Sequence, residues 1–464
     1  MPSNGTLQQI VRQLNNGTDG PHRWNTIDLT FSFLLTLPTE DQEATGDSFT
    51  AFNAQQKSIA RWALAAYSDV ITVHFTEVSG AAGDIRFGNL DLGQNTAHAG
   101  YPGPGSGGDA FFSSTPVPSG VPDLLHPVIG QHAYLTYLHE LGHAMGLHHM
   151  GNYNGGSPSY AVDALFAQDT EQFSVMSYFQ SQDAANGNNQ YNASGVHIFA
   201  QTLMLYDIAA LQATYGANPD TRSGATVYGF NSNIAAESPY NFSGNHDPNL
   251  CIYDAGGRDR LDFSGYSGPT TINLAPGSFS DTDSMAQNVS IAFGTVIEDA
   301  TGGSGADQIS GNFVSNGLRG GNGHDSLRGL QGDDRLIGGN GNDSLIGGDG
   351  ADRLTGGHGS DAFCFNVTPS GTSDADTITD FNHAADRFRI DGAAFGGLGQ
   401  WTAAAFFASA AGHAHDASDR FIYETDTGKL FFDADGNQAN GVAAILIATL
   451  INIPTVDWTD FFIL

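Results

Sequence analysis

The stretch from Gly302 to Cys364 repeats every nine residues without losing register, and that regularity limits its fold more than any other feature of the chain. The units begin at Gly302, Gly311, Gly320, Gly329, Gly338, Gly347 and Gly356. Their eighth residues are Ile309, Leu318, Leu327, Leu336, Leu345, Leu354 and Phe363, and their sixth are Asp307, Asn316, Asp325, Asp334, Asp343, Asp352 and Asp361. A low-complexity linker would not hold both columns. Glycines at positions such as Gly303, Gly305, Gly320, Gly321 and Gly323 let the backbone turn so that carbonyl oxygens face inward, and the aspartate adds a charged oxygen. The apolar eighth residue fills the interior of a parallel β-roll. Hard oxygen donors without thiolate or imidazole select calcium, and without a cation the stacked carboxylates would repel one another.

If one unit makes half a turn, residues eighteen apart become neighbours. Asp307 then meets Asp325, Asp325 meets Asp343 and Asp343 meets Asp361 on one edge, while Asn316, Asp334 and Asp352 line the other. Asn316 carries no charge and Val314 replaces a turn glycine, so the first site on the second edge is predicted to be weak or empty.

With 464 residues the chain is long enough for two or three domains, and its composition divides accordingly. The net charge of −33, from 49 acids against 16 bases, opposes nucleic acid and anionic membranes and favours cations as partners. No run of about 18 apolar residues is present, which excludes a membrane-spanning helix, and Met1 to Gly20 lacks the basic start and apolar stretch of a secretory signal peptide. Cys251 and Cys364 are the only cysteines, too few for a disulfide framework, and stand as a pair or as two buried thiols.

Ahead of the repeats, helix and strand patterns mix. Leu7, Ile10, Val11 and Leu14 predict a short leader helix that stops at Asn15-Asn16-Gly17. Phe52, Ile59, Trp62, Ala66 and Val70 form a helical stripe, Ile71, Val73 and Phe75 alternate like a strand, and Ile85 and Phe87 suggest a second strand. Further helices are expected over Tyr134 to Leu147 and near Phe199 to Tyr215, the latter ending at Gly216.

Residues 139 to 149 read His-Glu-Leu-Gly-His-Ala-Met-Gly-Leu-His-His. On a helix, residues four apart differ by about 40° around the axis, so His139 and His143 project from one face. Glu140 lies beside them to accept a proton from water, and Gly146 allows a turn that returns His149 as a third ligand for one zinc ion. His148 is one position short of the ligand spacing and reads as a loop residue, while His74, His98, His126, His132 and His197 have no such spacing. Downstream, Ser174-Val175-Met176-Ser177-Tyr178-Phe179 supplies a methionine-containing turn.

At these residues the chain resembles the metzincins and, within them, the serralysin family of secreted bacterial proteases. The resemblance extends to Asp207-Ile208-Ala209-Ala210-Leu211-Gln212, to Tyr215-Gly216-Ala217-Asn218, to the repeats and to the C-terminal Asp460-Phe461-Phe462-Ile463-Leu464. The chain departs from it at Met150, where serralysins usually carry proline. The resemblance implies an α+β metzincin catalytic domain, then an all-β parallel β-roll of the RTX type and a β-sandwich-like C-terminal domain. The corresponding boundaries are a propeptide or leader over 1–20, a catalytic domain over 21–225 and a calcium-binding and secretion domain over 226–464. It makes Met176 an apolar floor under the zinc, and makes Tyr178 an oxyanion stabiliser. It adds calcium loops at Arg222, Gly224 and Thr226, at Asp254, Gly256, Gly257 and Asp259, and at Glu298. The implied protein is a monomeric extracellular zinc endopeptidase with several structural calcium ions. Its partners are protein or peptide substrates, a type I export system that reads the acidic and apolar end, and a proteinaceous inhibitor. On the residues alone, a noncatalytic calcium-dependent adhesin and a carbohydrate-modifying enzyme remain open. Intact Glu140 argues against the first, and no paired carboxylates support the second.

Overall fold

The computed structural model describes the chain apart from Met1 and residues 39–47, 94–95, 184–189, 368–373, 397, 399–400 and 437–442. Strands dominate and helices are few. The chain forms two compact units: Met1–Ser223, Glu237–Gly257 and Ser284–Thr295 make the first, and Gly224–Ala236, Arg258–Asp283 and Val296–Leu464 make the second.

In the first unit, α1 (Leu7–Asn16) starts at a capping box between Thr6 and Gln9 and ends at Gly17, whose φ of 45° is accessible to glycine. Its inward positions, Ile10 and Leu14, are fully buried, and the helix packs on α5 (Leu205–Tyr215). Helix α2 (Ala54–Val70) opens with a second capping box, Asn53 with Gln56. Its core face is Ile59, Ala63, Tyr67 and Val70, so Trp62 falls outside the stripe expected of it and stays 37 % exposed. A five-stranded sheet combines β1 (Asp28–Phe33), β2 (His74–Glu77), β3 (Ile85–Leu90), β4 (Ala97–Ala99) and β5 (Ala110–Ser113) in the order β2-β1-β3-β5-β4. All neighbours are parallel except β4, which runs antiparallel to β5. Strands β3 and β5 are buried along their whole length, as interior parallel strands are. Arg86 on β3 makes a buried two-point ion pair with Asp109, at 2.7 and 2.6 Å.

Helix α3 (His132–Ala144) ends three residues before the expected Leu147. Gly146 forces the stop: its φ is +96°, and a Cβ there would lie 1.9 Å from the His22 carbonyl oxygen. A single turn, α4, follows at Tyr160–Asp163. Helix α5 starts at Leu205, later than its apolar pattern suggested, because Asp207 accepts from the Met204 N–H and fixes the first turn there.

The second unit is built on an eighteen-residue register. In one sheet Leu318 lies opposite Leu336 and Leu336 opposite Leu354; in the other Ile309, Leu327, Leu345 and Phe363 follow one another. Every pair is parallel, and both columns are buried. Two sheets with shared alternation therefore enclose one apolar interior. Among the described residues these sheets hold 11 and 7 strands, and the segments after Cys364 extend both of them. Phe461–Ile463 is one such strand, paired in parallel with Arg387–Ile390.

Candidate functional site

His139 and His143 project from α3, and the Gly146 turn brings His149 back to them. The Nε2 atoms of His139 and His143 each lie 3.1 Å from Nε2 of His149. The opposite ring nitrogens face carbonyl oxygens: Nδ1 of His139 meets Val175 O at 2.8 Å, that of His143 meets Leu147 O at 2.8 Å and that of His149 meets Tyr153 O at 2.7 Å. A carbonyl only accepts, so each Nδ1 carries the hydrogen and donates it. Three Nε2 lone pairs then point at one another, an arrangement that repels unless a cation sits among them. Ligands at about 2.0–2.1 Å from a tetrahedral ion lie about 3.3–3.4 Å apart, close to the separation seen here.

All three imidazoles are buried. Burial, opposing the Val175 contact, holds His139 down to about 4, and burial together with His139 holds His149 down to about 3, so the rings stay neutral and able to ligate. Glu140 is also buried, and that burial pushes its carboxyl up to about 8 against the Ala99 N–H of β4. Met176 is fully buried against α3, where a Cβ on Gly142 would come within 2.3 Å of its Sδ. Gly142 is therefore the residue that lets the methionine turn approach α3. Asp207 fastens that turn by accepting from Val175 N–H at 2.8 Å while capping α5. Tyr178 is 38 % exposed, with its ring 4.7 Å from that of His149 and 5.6 Å from that of His139.

His148 faces away from this cluster, with Nδ1 3.1 Å from the Tyr101 hydroxyl and Nε2 3.2 Å from Gly20 O. Of the other histidines, His126 pairs with Asp123, His197 stacks on Tyr191, His98 lies on β4, His132 opens α3 and His74 opens β2.

In the second unit the sixth-position side chains make a ladder. Asp325 accepts from Asp307 N–H, Asp343 from Asp325 and Asp361 from Asp343, at 2.8, 2.8 and 2.9 Å. Asp334 accepts from Asn316 and Asp352 from Asp334, at 2.7 and 2.8 Å. Each of these bonds uses Oδ1. The Oδ2 atoms of Asp325, Asp334, Asp343, Asp352 and Asp361 are buried without any hydrogen-bond partner. A Cβ on Gly320 would meet Asp325 Oδ2 at 2.3 Å, and one on Gly323, at φ +124°, would meet Gly305 O at 1.9 Å. Gly321 shares that left-handed conformation. Asp307 differs from the ladder below it, since its Oδ2 takes Gly303 N–H and its Oδ1 takes Thr270. Asn316 is likewise satisfied, accepting from Asn312 N–H and donating to Glu298 O. The ladder continues beyond the repeats, where Asp376 accepts from Asp352 N–H and Asp386 from Asp361 N–H. The nine-residue period did not reveal these two residues, because the spacing widens to 24 and 25.

The remaining loop residues fall into the two units. In the second, Thr226 N–H donates to Asp259 Oδ1, Thr226 Oγ1 donates to Gly224 O, and Asp259 N–H donates to Glu298 Oε2. In the first, Gly256 N–H donates to Asp254 Oδ1, Gly257 has φ +142°, and the Arg222 side chain makes a two-point ion pair with Asp69. Among the described residues two further groups, His383 with Asp457 and Asp460 and His415 with Asp416 and Asp419, have three ligating atoms in proximity. In both, ordinary imidazole–carboxylate contacts already occupy the ring. Cys251 and Cys364 are free thiols, and no helix among the described residues is long and apolar enough to cross a membrane.

The chain is similar to known proteins over most of its length. Residues 217–456 match the family described as Peptidase M10 serralysin C terminal. The metallopeptidase AprA of Pseudomonas marginalis is 41 % identical over 436 residues, covering 91 % of this chain and 84 % of that protein. The metalloprotease AprA of Pseudomonas entomophila is 40 % identical over 63 % of this chain and 61 % of its own length. Serralysin G of Dickeya chrysanthemi is 38 % identical over 67 % of this chain and 66 % of its own length. The last two alignments thus span just under two thirds of those relatives. With the family match over more than half its length and a metallopeptidase relative over nine tenths of it, the chain belongs to the serralysin family and is a metalloendopeptidase.

Proposed function

We propose that the protein is a secreted zinc endopeptidase stabilised by calcium, with a metzincin catalytic domain over 21–225 and an RTX β-roll and sandwich-like C-terminal domain over 226–464. Residues 237–257 and 284–295 fold with the first compact unit and belong to its support. Residues 1–20 remain the leader in this reading.

The observation that carries the zinc assignment is the convergence of three carbonyl-anchored imidazoles beside a buried glutamate. Three neutral nitrogens with an open fourth position suit zinc. Bound there, zinc supplies Lewis-acid polarisation of the scissile carbonyl and makes water a stronger acid. Glu140, once ionised, takes the proton from the attacking water and passes it to the leaving amine. Tyr178, at the edge of the cluster, donates its hydroxyl hydrogen to the developing oxyanion. Met176 packs beneath the imidazoles and limits their movement. Edge strand β4, beside Glu140, offers its backbone to an extended peptide substrate.

Calcium suits the second unit because the Oδ2 atoms of the five ladder aspartates, Asp325, Asp334, Asp343, Asp352 and Asp361, are buried there without a hydrogen-bond partner. Asn316, with its amide fully engaged, supports a weak or empty first site on its edge. The same carboxylates keep this unit unfolded where calcium is scarce and fold it outside the cell. Type I export, with Asp460–Leu464 as part of its signal, and inhibition by a small protein complete the reading.

Metal analysis of the purified chain tests it. One zinc per chain is expected, with casein cleavage abolished by a zinc chelator and restored by zinc. Cleavage that persists in zinc-free protein would overturn the assignment.

A further inference from the structure

The ligand motif leaves two residues unused that join the third histidine to Tyr178. Tyr153, four residues after His149, accepts the His149 Nδ1–H on its carbonyl at 2.7 Å. Its hydroxyl donates to Asp169 Oδ1 at 2.7 Å. Because that hydrogen is committed to the carboxylate, the oxygen lone pairs turn toward Tyr178, whose backbone N–H approaches them at 3.4 Å. Ser177, the neighbour of Tyr178, donates to the same Asp169 oxygen at 2.8 Å and accepts from Phe179 N–H at 3.1 Å. The Tyr153 ring fills the space between, 5.3 Å from the His149 ring and 5.0 Å from the Tyr178 ring. Tyr153 is 8 % exposed and Asp169 fully buried. Gly151 makes room for the ring, since a Cβ there would lie 2.4 Å from it.

We infer that Tyr153 and Asp169 are positioning residues of the metal centre: one hydrogen-bonded chain sets both the orientation of His149 and the reach of Tyr178. The inference rests on the roles proposed above for those two residues. A rigid ring with only two side-chain torsions, pinned at its carbonyl and at its hydroxyl, transmits a displacement at either end to the other. Asp169 acts through Tyr153 and Ser177, without touching the metal or the substrate.

The test uses the full chain loaded with calcium and zinc, as wild type, Y153F, D169N, Y178F and Y153F/Y178F. Zinc retention against a chelator, kcat and KM on a peptide, and Tm are read for each. Y153F should lose zinc about tenfold more readily and lower kcat about tenfold with KM little changed. In the Y178F background the Y153F change should lower kcat no further while still weakening zinc retention. D169N replaces the charged acceptor of both hydroxyls by a neutral amide and should weaken zinc retention and lower kcat in the same direction as Y153F, by a smaller factor; wild-type values in D169N would overturn the part given to Asp169. Wild-type zinc retention and kcat in Y153F would overturn the inference, as would kcat losses that simply multiply in the double variant. If Y178F alone leaves kcat unchanged, the role given to Tyr178 fails, and zinc retention in Y153F still decides whether Tyr153 holds His149.

Discussion

Replacing Leu336 by alanine would remove the central member of a stacked column. Leu336 is fully buried, with Leu318 and Leu354 directly above and below it in register. The backbone cannot slump into the space, because the strands are tied at each turn, as in Gly323 N–H to Asn340 O at 2.9 Å. A rigid site puts the loss toward the upper part of the range for buried leucine, about 4 kcal/mol. That is roughly 800-fold in the folding equilibrium. If one calcium were taken up cooperatively for each of the five unpartnered carboxylates, the calcium concentration at half-folding would rise only about fourfold. Urea unfolding at saturating calcium, followed by circular dichroism, measures the first quantity, and a calcium titration of chelator-treated protein measures the second. Ile337→Ala, on the outer and partly exposed side of the same strand, should cost about 1 kcal/mol and serves as the comparison. A loss below about 1 kcal/mol for Leu336→Ala would refute the picture of a close-packed, inflexible interior.

Three further changes probe the two units. Gly142→Ala places a methyl group in the space of the Met176 Sδ and should cost about 1–3 kcal/mol while loosening zinc, read as Tm and as zinc retention. Arg86→Met strands Asp109 in the interior and should cost about 3–5 kcal/mol in urea unfolding. Chelating calcium from the full chain should abolish most strand signal in circular dichroism and expose the repeats to added protease, whereas undiminished strand signal would contradict the role given to the carboxylates.

The repeats and the metal helix were legible for a common reason: in both, chemistry recurs at a fixed period. Aspartates on a nine-residue period meet every second unit, eighteen residues apart, and His139 and His143, four apart, share one face of α3, so spacing alone places them. Asp376 and Asp386 continue the same ladder but after insertions, and no period points to them. Strand β5 is not legible because a short, wholly buried strand lacks alternation, whereas β1 does alternate, with Thr30 and Ser32 between Leu29, Phe31 and Phe33; Trp62 lies one position off the buried face of α2, where an aromatic residue near a stripe looks like part of it. Helix α3 is shorter than its apolar pattern predicts because apolar residues continue past Ala144, while Gly146, legible in the sequence as the turn that returns His149, ends the helix before Leu147. Tyr153 and Asp169 were invisible for a different reason: Tyr153 meets His149 through its carbonyl, which every residue possesses.

The central claim is that Glu140 performs proton transfer at a zinc ion held by His139, His143 and His149. Turnover of casein by Glu140→Gln at confirmed zinc occupancy tests it most directly. Glutamine fills the same volume and leaves the three imidazoles and their carbonyl anchors untouched, so one zinc per chain should remain while turnover falls about 10²–10⁴-fold. A zinc-loaded variant that cleaves casein within a few-fold of wild type would contradict the account.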